Sequence, residues 1–174
     1  MSTAVAHGCW LIMEKLLRWC IHPRLRARLL ALFGARIGRN VRIYEGQFFN
    51  LEKGFAALSV ADDVHIGPGC RLDLHGPLVI GARSTLSPGV TIITHSDPGL
   101  AHNSAICKLY PPRADGVTIG SDCWVGANVT MLAGSALNDR VVVGAGSVVR
   151  DSIASDSMAA GAPATVRKHL DFGR

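Results

Sequence analysis

The sequence predicts an all-β fold: a parallel β-helix wound from six-residue repeats, with an N-terminal amphipathic helical segment and one long excursion loop. Three observations carry this. Aliphatic residues recur every six positions from Ile119 to Val149. Glycine is abundant, at 19 of 174 residues, while aromatics make up only 6% of the chain. Between Ser96 and Gly116 the six-residue phase is lost, which marks a departure from the coil.

The repeat is most regular in the C-terminal half. Ile119, Val125, Met131, Leu137, Val143 and Val149 occupy the first position of successive hexads, and Cys123, Val129, Ser135, Val141, Ser147 and Ile153 follow each at the fifth. Upstream the same pattern runs in shorter blocks: Ile37 with Val41 and Ile43; Val60, Ile66 and Leu72 with Val64 and Cys70; Ile80, Leu86 and Ile92 with Ser84 and Val90. The last two blocks are offset by two residues, and the slip falls within Asp73 to Pro77, "DLHGP".

A period of six has a direct physical meaning. Three hexads make one triangular coil of about eighteen residues, each hexad supplying a short strand and a turn, and stacked coils form parallel ladders on three faces. First-position aliphatics fill the interior, and small fifth-position residues fit where its walls converge. A helical reading of residues 37 to 165 fails on the glycines and the β-branched content, which disfavour helix interiors.

The N-terminus follows another rule. Trp10, Leu11, Met13, Leu16, Leu17 and Cys20 recur at helical spacing; Pro23 then opens a second helical pattern through Leu25, Leu29, Leu30, Leu32 and Phe33, closed by Gly34. Residues 1–42 hold eight Lys/Arg against Glu14 alone, a net charge of +7, whereas the remainder carries −2. This basic amphipathic segment either docks on the β-helix or lies against an anionic membrane through residues 1–33. Its charged residues and Pro23 interrupt every long apolar run, so no membrane-spanning helix is expected. Five cysteines without CxxC spacing, and no cleavable signal peptide, predict reduced thiols in a cytoplasmic protein. No nucleic-acid partner is expected. The domain plan is therefore a helical segment over 1–34, a β-helix over 35–168 with its loop at 96–116, and a tail over 169–174.

Three stretches carry a family resemblance: "IITHSDP" at 92–98, "VTIGSDCWVGANVTMLAGSALNDRVVVGAGSVV" at 117–149, and "AAGAPATV" at 159–166. Over about Ala35 to Lys168 the chain resembles the hexapeptide-repeat acyltransferases. It is most similar to their sugar O-acetyltransferase branch, which includes the maltose, galactoside, nodulation-factor and colanic-acid enzymes. The resemblance implies a left-handed coil, a homotrimer with active sites between subunits, and acetyl-CoA as co-substrate. It places the catalytic histidine on His95 and the family's tryptophan on Trp124, followed by Val125 and Gly126. Small residues along the pantetheine tunnel fall on Ser87, Ala127 and Ala145. Contacts to the coenzyme's nucleotide end fall on Arg150, Thr165 and Lys168, and a sugar-binding asparagine of the galactoside enzymes falls on Asp73. One departure stands out: the family commonly reads Thr-Lys-Asp after "GAGSVV", where this chain has Arg150, Asp151 and Ser152.

Acetyl transfer to a hydroxyl needs a base, an oxyanion donor and fixed alignment of both substrates. His95, at the edge of the coil beside the excursion, suits the base, since histidine both takes and returns a proton near neutral pH. The oxyanion donor is expected to be a backbone N–H near Gly126 and Ala127, because Ala127 has no hydroxyl. Asp97 either orients an imidazole or simply turns the chain before Pro98; Trp124 either walls the acceptor pocket or packs on a neighbouring coil; His102, within the excursion, is a candidate acceptor contact. No Ser/His/Asp or Cys/His nucleophile is indicated, so direct transfer in a ternary complex is preferred to a covalent intermediate. Histidine spacing predicts no metal site. The competing readings are a serine or xenobiotic acetyltransferase of the same fold, and a non-catalytic or γ-carbonic-anhydrase-like β-helix.

Overall fold

The computed structural model describes residues 3–99 and 104–173. Two helices, α1 (Thr3–Arg18) and α2 (Pro23–Leu32), precede a stack of coils. The first coil contributes β1 (Arg36–Ile37), β2 (Arg42–Ile43) and β3 (Gly46–Phe49); the second β4 (Leu58–Val60), β5 (His65–Ile66) and β6 (Cys70–Asp73). The third is β7 (Leu78–Ile80), β8 (Thr85–Leu86) and β9 (Thr91–Ile92), after which the chain leaves through α3 (Ala105–Leu109). It returns as β10 (Val117–Ile119), β11 (Trp124–Val125) and β12 (Thr130–Met131), then β13 (Ala136–Leu137), β14 (Val142–Val143) and β15 (Val148–Val149). A last partial coil holds β16 (Ser152–Ile153) and β17 (Ser157–Ala160), and β18 (Thr165–His169) closes the chain.

Every third strand pairs, which makes three faces: β1-β4-β7-β10-β13-β16, β2-β5-β8-β11-β14-β17-β18, and β3-β6-β9-β12-β15. All pairings are parallel except β17 with β18. The first-position aliphatics stack in register, for example Val60, Ile80, Ile119 and Leu137 down one face. From Ile43 to Val149 these residues are buried to 3% exposure or less. The predicted hexads thus form the core.

The corners explain how so short a repeat turns. Asn40, Asp63, Arg83, Asp122, Arg140 and Asp156 each stand three residues after an inward aliphatic with φ between 54° and 61°, so one edge is turned throughout by left-handed residues. Asn and Asp tolerate this conformation; the two arginines are held there by ion pairs to the next coil, Arg83 to Asp122 and Arg140 to Asp156. At the following corner Gly126 has no room for a side chain, since a Cβ would lie 2.6 Å from the backbone N of Ala145.

One assignment in the repeat is corrected. Ile153, placed at a fifth position by spacing, pairs with Leu137 and is the inward residue of β16. The last coil is therefore two residues short at this point.

The helical segment docks, as one of its two readings expected. Its inner face carries Trp10, Glu14 and Leu17, and Trp10 packs edge-on against the buried Phe55 at 5.9 Å. Arg26 is fully buried, and its guanidinium donates to the carbonyls of Leu17 (2.9 Å), Arg18 (3.2 Å), Ile43 (3.2 Å) and Cys20. Leu17 also accepts from the Cys20 N–H at 3.1 Å, but the Arg18 and Cys20 carbonyls, where α1 ends, have no other donor among the described residues. Among the described residues no helix is long and apolar enough to cross a membrane.

Candidate active site

Two irregularities of the repeat meet in space. The Asp73 to Pro77 slip leaves the second coil beside the point where "IITHSDP" leaves the third. Gly76 donates its N–H to Thr94 Oγ1 at 2.9 Å, and Gly116 donates to the Thr94 carbonyl at 3.1 Å as the excursion returns. A Cβ on Gly76 would lie 2.7 Å from that carbonyl, so only glycine permits the approach. Ser96 and Arg113 exchange both backbone hydrogen bonds, at 2.8 and 2.9 Å, and fasten the base of the excursion.

At this junction Asp73 meets His95. The carboxylate has no exposure to solvent, and its Oδ2 lies 2.5 Å from His95 Nδ1. Oδ2 also accepts from the Thr94 N–H at 2.8 Å; Oδ1 accepts from the His75 N–H and from Asn50 Nδ2, each at 3.0 Å. Burial alone would raise the carboxyl's pKa, but these bonds to His75, His95, Thr94 and Asn50 outweigh it and hold it below the usual carboxylate range. An ionised carboxylate can only accept, so the proton of a neutral His95 imidazole sits on Nδ1. The lone pair of Nε2 is then free to take a proton from a substrate. His75 stacks beside the imidazole, with ring centroids 4.7 Å apart and tilted by 38°, and its Nδ1 lies 3.6 Å from Glu52.

His95 opens onto a cleft of about 530 Å³ lined also by Ile93, Ser96, Asp97, Leu132, Ala133 and Arg150. The strand register accounts for the lining. Ile93, Leu132 and Arg150 each follow the inward residue of β9, β12 and β15, so they stack as one column beside the histidine.

Several expected roles change here. Asp73, matched to an acceptor-binding position, is buried, and its carboxylate is taken up by four hydrogen bonds, one of them to the histidine. Asp97 does not meet the imidazole; its Oδ1 accepts from the Gly99 N–H at 2.7 Å and turns the chain. Gly126 donates its N–H to the Val143 carbonyl at 2.9 Å, which removes it as an oxyanion donor. The Ala127 N–H makes no such bond among the described residues. Ser87 stands in register with Gly126, one position off the column shared by Ala127 and Ala145, and its hydroxyl accepts from Trp124 Nε1 at 3.0 Å. Trp124 thus reaches the neighbouring coil through this bond and keeps 56% of its surface exposed. His102 lies outside the described residues.

The remaining candidates divide between two corners. Trp124, Ala127 and Ala145 belong to the corner that ends the second face, and Thr165 and Lys168 lie on β18 at the edge of that face. Arg150 is instead on the His95 corner. A full side of the triangle separates the two; six residues at about 3.3 Å each span at most roughly 20 Å. One chain therefore presents the histidine and the Trp124–Ala127 column on different edges. Among the described residues no group of three His, Cys, Asp or Glu side chains converges as a metal site would. Sequence reasoning missed Asn50, His75 and Thr94, whose only signal was their place in or beside irregular stretches.

A parallel β-helix with a carboxylate-held histidine at the exit of its excursion has the build of a transferase acting at a coil edge. The comparisons narrow this. Residues 116–151 match the family described as "Bacterial transferase hexapeptide (six repeats)". The putative colanic acid biosynthesis acetyltransferase WcaF of Escherichia coli K12 is 31% identical over 159 residues, covering 90% of this chain and 82% of that protein. The putative lipopolysaccharide biosynthesis O-acetyl transferase WbbJ of the same organism is 31% identical over 121 residues, covering 66% and 62%. Among solved structures, the hexapeptide-repeat acetyltransferase VCA0836 of Vibrio cholerae superposes with a TM-score of 0.78 at 20% identity, covering 94% of this chain and 92% of its own. A second structure of that protein, complexed with acetyl coenzyme A, gives a TM-score of 0.69 at 19% identity, with coverage of 94% and 88%. This chain belongs to the hexapeptide-repeat acetyltransferases, and its coil is a left-handed parallel β-helix.

Proposed function

We propose that this acetyltransferase moves the acetyl group of acetyl-CoA to a sugar hydroxyl in the assembly of a surface polysaccharide or lipopolysaccharide. The observation that carries the reading is the buried Asp73–His95 pair opening on the cleft. Support for the acceptor class comes from the names of the related colanic acid and lipopolysaccharide enzymes, and support for the donor from the acetyl coenzyme A complex of the similar fold.

In this mechanism His95 Nε2 takes the proton of the acceptor hydroxyl as its oxygen attacks the thioester carbonyl. The new C–O bond forms, negative charge gathers on the carbonyl oxygen, and the Asp73 carboxylate stabilises the resulting imidazolium. Collapse of the tetrahedral species breaks the C–S bond, and the imidazolium returns its proton to the departing thiolate. Transfer is direct, in a ternary complex. The Ala127 N–H is the oxyanion donor, Ala127 and Ala145 line the pantetheine path, Trp124 walls the acceptor pocket, and Arg150, Thr165 and Lys168 meet the coenzyme's phosphates. Because Trp124, Ala127, Ala145, Thr165 and Lys168 stand on a different edge from His95 and Arg150, the complete site lies between copies of the chain in a homotrimer.

The test is purified protein with acetyl-CoA and a panel of sugars and lipid-linked glycans, followed by thiol release. His95→Ala is expected to abolish turnover while leaving the fold intact by circular dichroism. Wild-type turnover in that variant defeats the assignment of the base, and thiol release with L-serine but no sugar favours the serine reading.

A further inference from the structure

We propose that the N-terminal end of the molecule docks on the surface of an anionic phospholipid bilayer. Only the inner face of α1 is used by the fold. At 100° per residue, Cys9, Leu16 and Ile12 form an arc opposite Glu14 and Leu17, and Ile12 and Leu16 are 62% and 66% exposed. The linker between the helices adds Trp19 at 85% and Ile21 at 90%, and α2 adds Leu32 at 77%. Exposed large apolar groups concentrated at one end, with a tryptophan among them, match what an interfacial segment inserts below lipid headgroups.

Charge selects the bilayer over an uncharged apolar partner. Lys15 and Arg28 on the two helices, and Arg36 and Arg42 on β1 and β2 beneath α2, stand without an ion pair among the described residues, and Arg24 makes only a hydrogen bond to Asn40 at 3.3 Å. On α2, Arg24 and Arg28 share one exposed arc with Leu25 and Leu32, opposite the buried Arg26, Ala27 and Leu30. Beside them a groove of about 480 Å³ opens between α2 and the first coil, lined by Arg24, Arg28, Asn40 and Arg39, the last of which is shared with Asp62. Guanidinium groups in such a groove are suited to a lipid phosphate. The inference is independent of the reaction assigned above.

The experiment is co-sedimentation of the full chain with vesicles of phosphatidylcholine alone or with about one third phosphatidylglycerol, at low and high salt. Binding is expected only to the anionic vesicles and is weakened by salt. Trp19→Ser combined with Ile21→Ser lowers the partition coefficient roughly tenfold, and Arg24→Gln combined with Arg28→Gln does the same on anionic vesicles. Both pairs are solvent-exposed, so unchanged thermal unfolding verifies the fold. Absence of wild-type binding, or equal binding by the Trp19/Ile21 variant, overturns the proposal. So does a lipid-free assembly that becomes smaller, by light scattering, in that variant, because the face would then join copies of the chain.

Discussion

Asp73→Asn isolates the pair at the centre of the site. The substitution keeps the side chain's volume and one carbonyl oxygen but removes the charge that faces His95 Nδ1 at 2.5 Å. With ~4 Å between charge centres and an effective dielectric of about 20, an imidazolium gains roughly 4 kcal/mol from that carboxylate. His95 is 22% exposed, so screening lowers the figure, and a loss of about 2–4 kcal/mol of transition-state stabilisation is expected. That corresponds to roughly a thirtyfold to thousandfold fall in kcat. KM for the acceptor should change little, because the buried carboxylate touches no substrate. Steady-state thiol release against acceptor concentration separates the two parameters. Asn50→Ala is the control: it removes a bond to the same carboxylate without touching His95, so it should lower stability and leave kcat within about threefold. A kcat near wild type in Asp73→Asn would refute the argument, and a raised acceptor KM at constant kcat would return Asp73 to sugar binding.

Gly126→Ala sets a Cβ 2.6 Å from the Ala145 backbone and should lower stability by at least about 1–3 kcal/mol, read by calorimetry. Arg26→Met leaves the carbonyls of Arg18, Cys20 and Ile43 without donors; at about 1 kcal/mol each the loss is roughly 3 kcal/mol, with faster amide exchange along α1. Burial pushes the Cys70 thiol up to about 11 and raises that of Cys123, so at pH 8 both should resist alkylation while exposed Cys9 reacts, as peptide mass mapping will show. Asp73's pKa is lowered by folding, so its contribution to stability is present above about 3.9, its unfolded value, and is lost as pH falls through the lower folded one. Acid unfolding of Asp73→Asn should accordingly show a shallower pH dependence in that range.

The hexads were legible because burial and repeat register coincide: each first-position aliphatic from Ile37 to Val149 is the inward residue of a strand. Spacing failed where a turn changed length without changing composition. Ile153 sits four residues after Val149 whether the coil is full or shortened, and only its pairing with Leu137 distinguishes the two. The site was half legible. His95 stood out because the pattern broke beside it, but its partner lies 22 residues earlier, inside a stretch that explained itself as a register slip. Asp97, two residues away, was the visible alternative, and its real partner is the N–H of Gly99. Contacts made across stacked coils join positions that share no local periodicity, so Asn50, His75 and Thr94 carried no signal of their own.

The two ends of the stack also constrain how the molecule associates. An open ladder of parallel strands is a template for another chain. Here α2 lies over β1 and β2, and α1 lies against β3. At the far end β18 runs in the reverse direction along β17, while Gly161 and Ala164 engage the N–H and C=O of Val148 on the third face. The coil thus carries its own terminators, which oppose end-to-end growth into a filament. Contact between copies along the stack axis is thereby disfavoured relative to contact along the flat walls and edges of the prism.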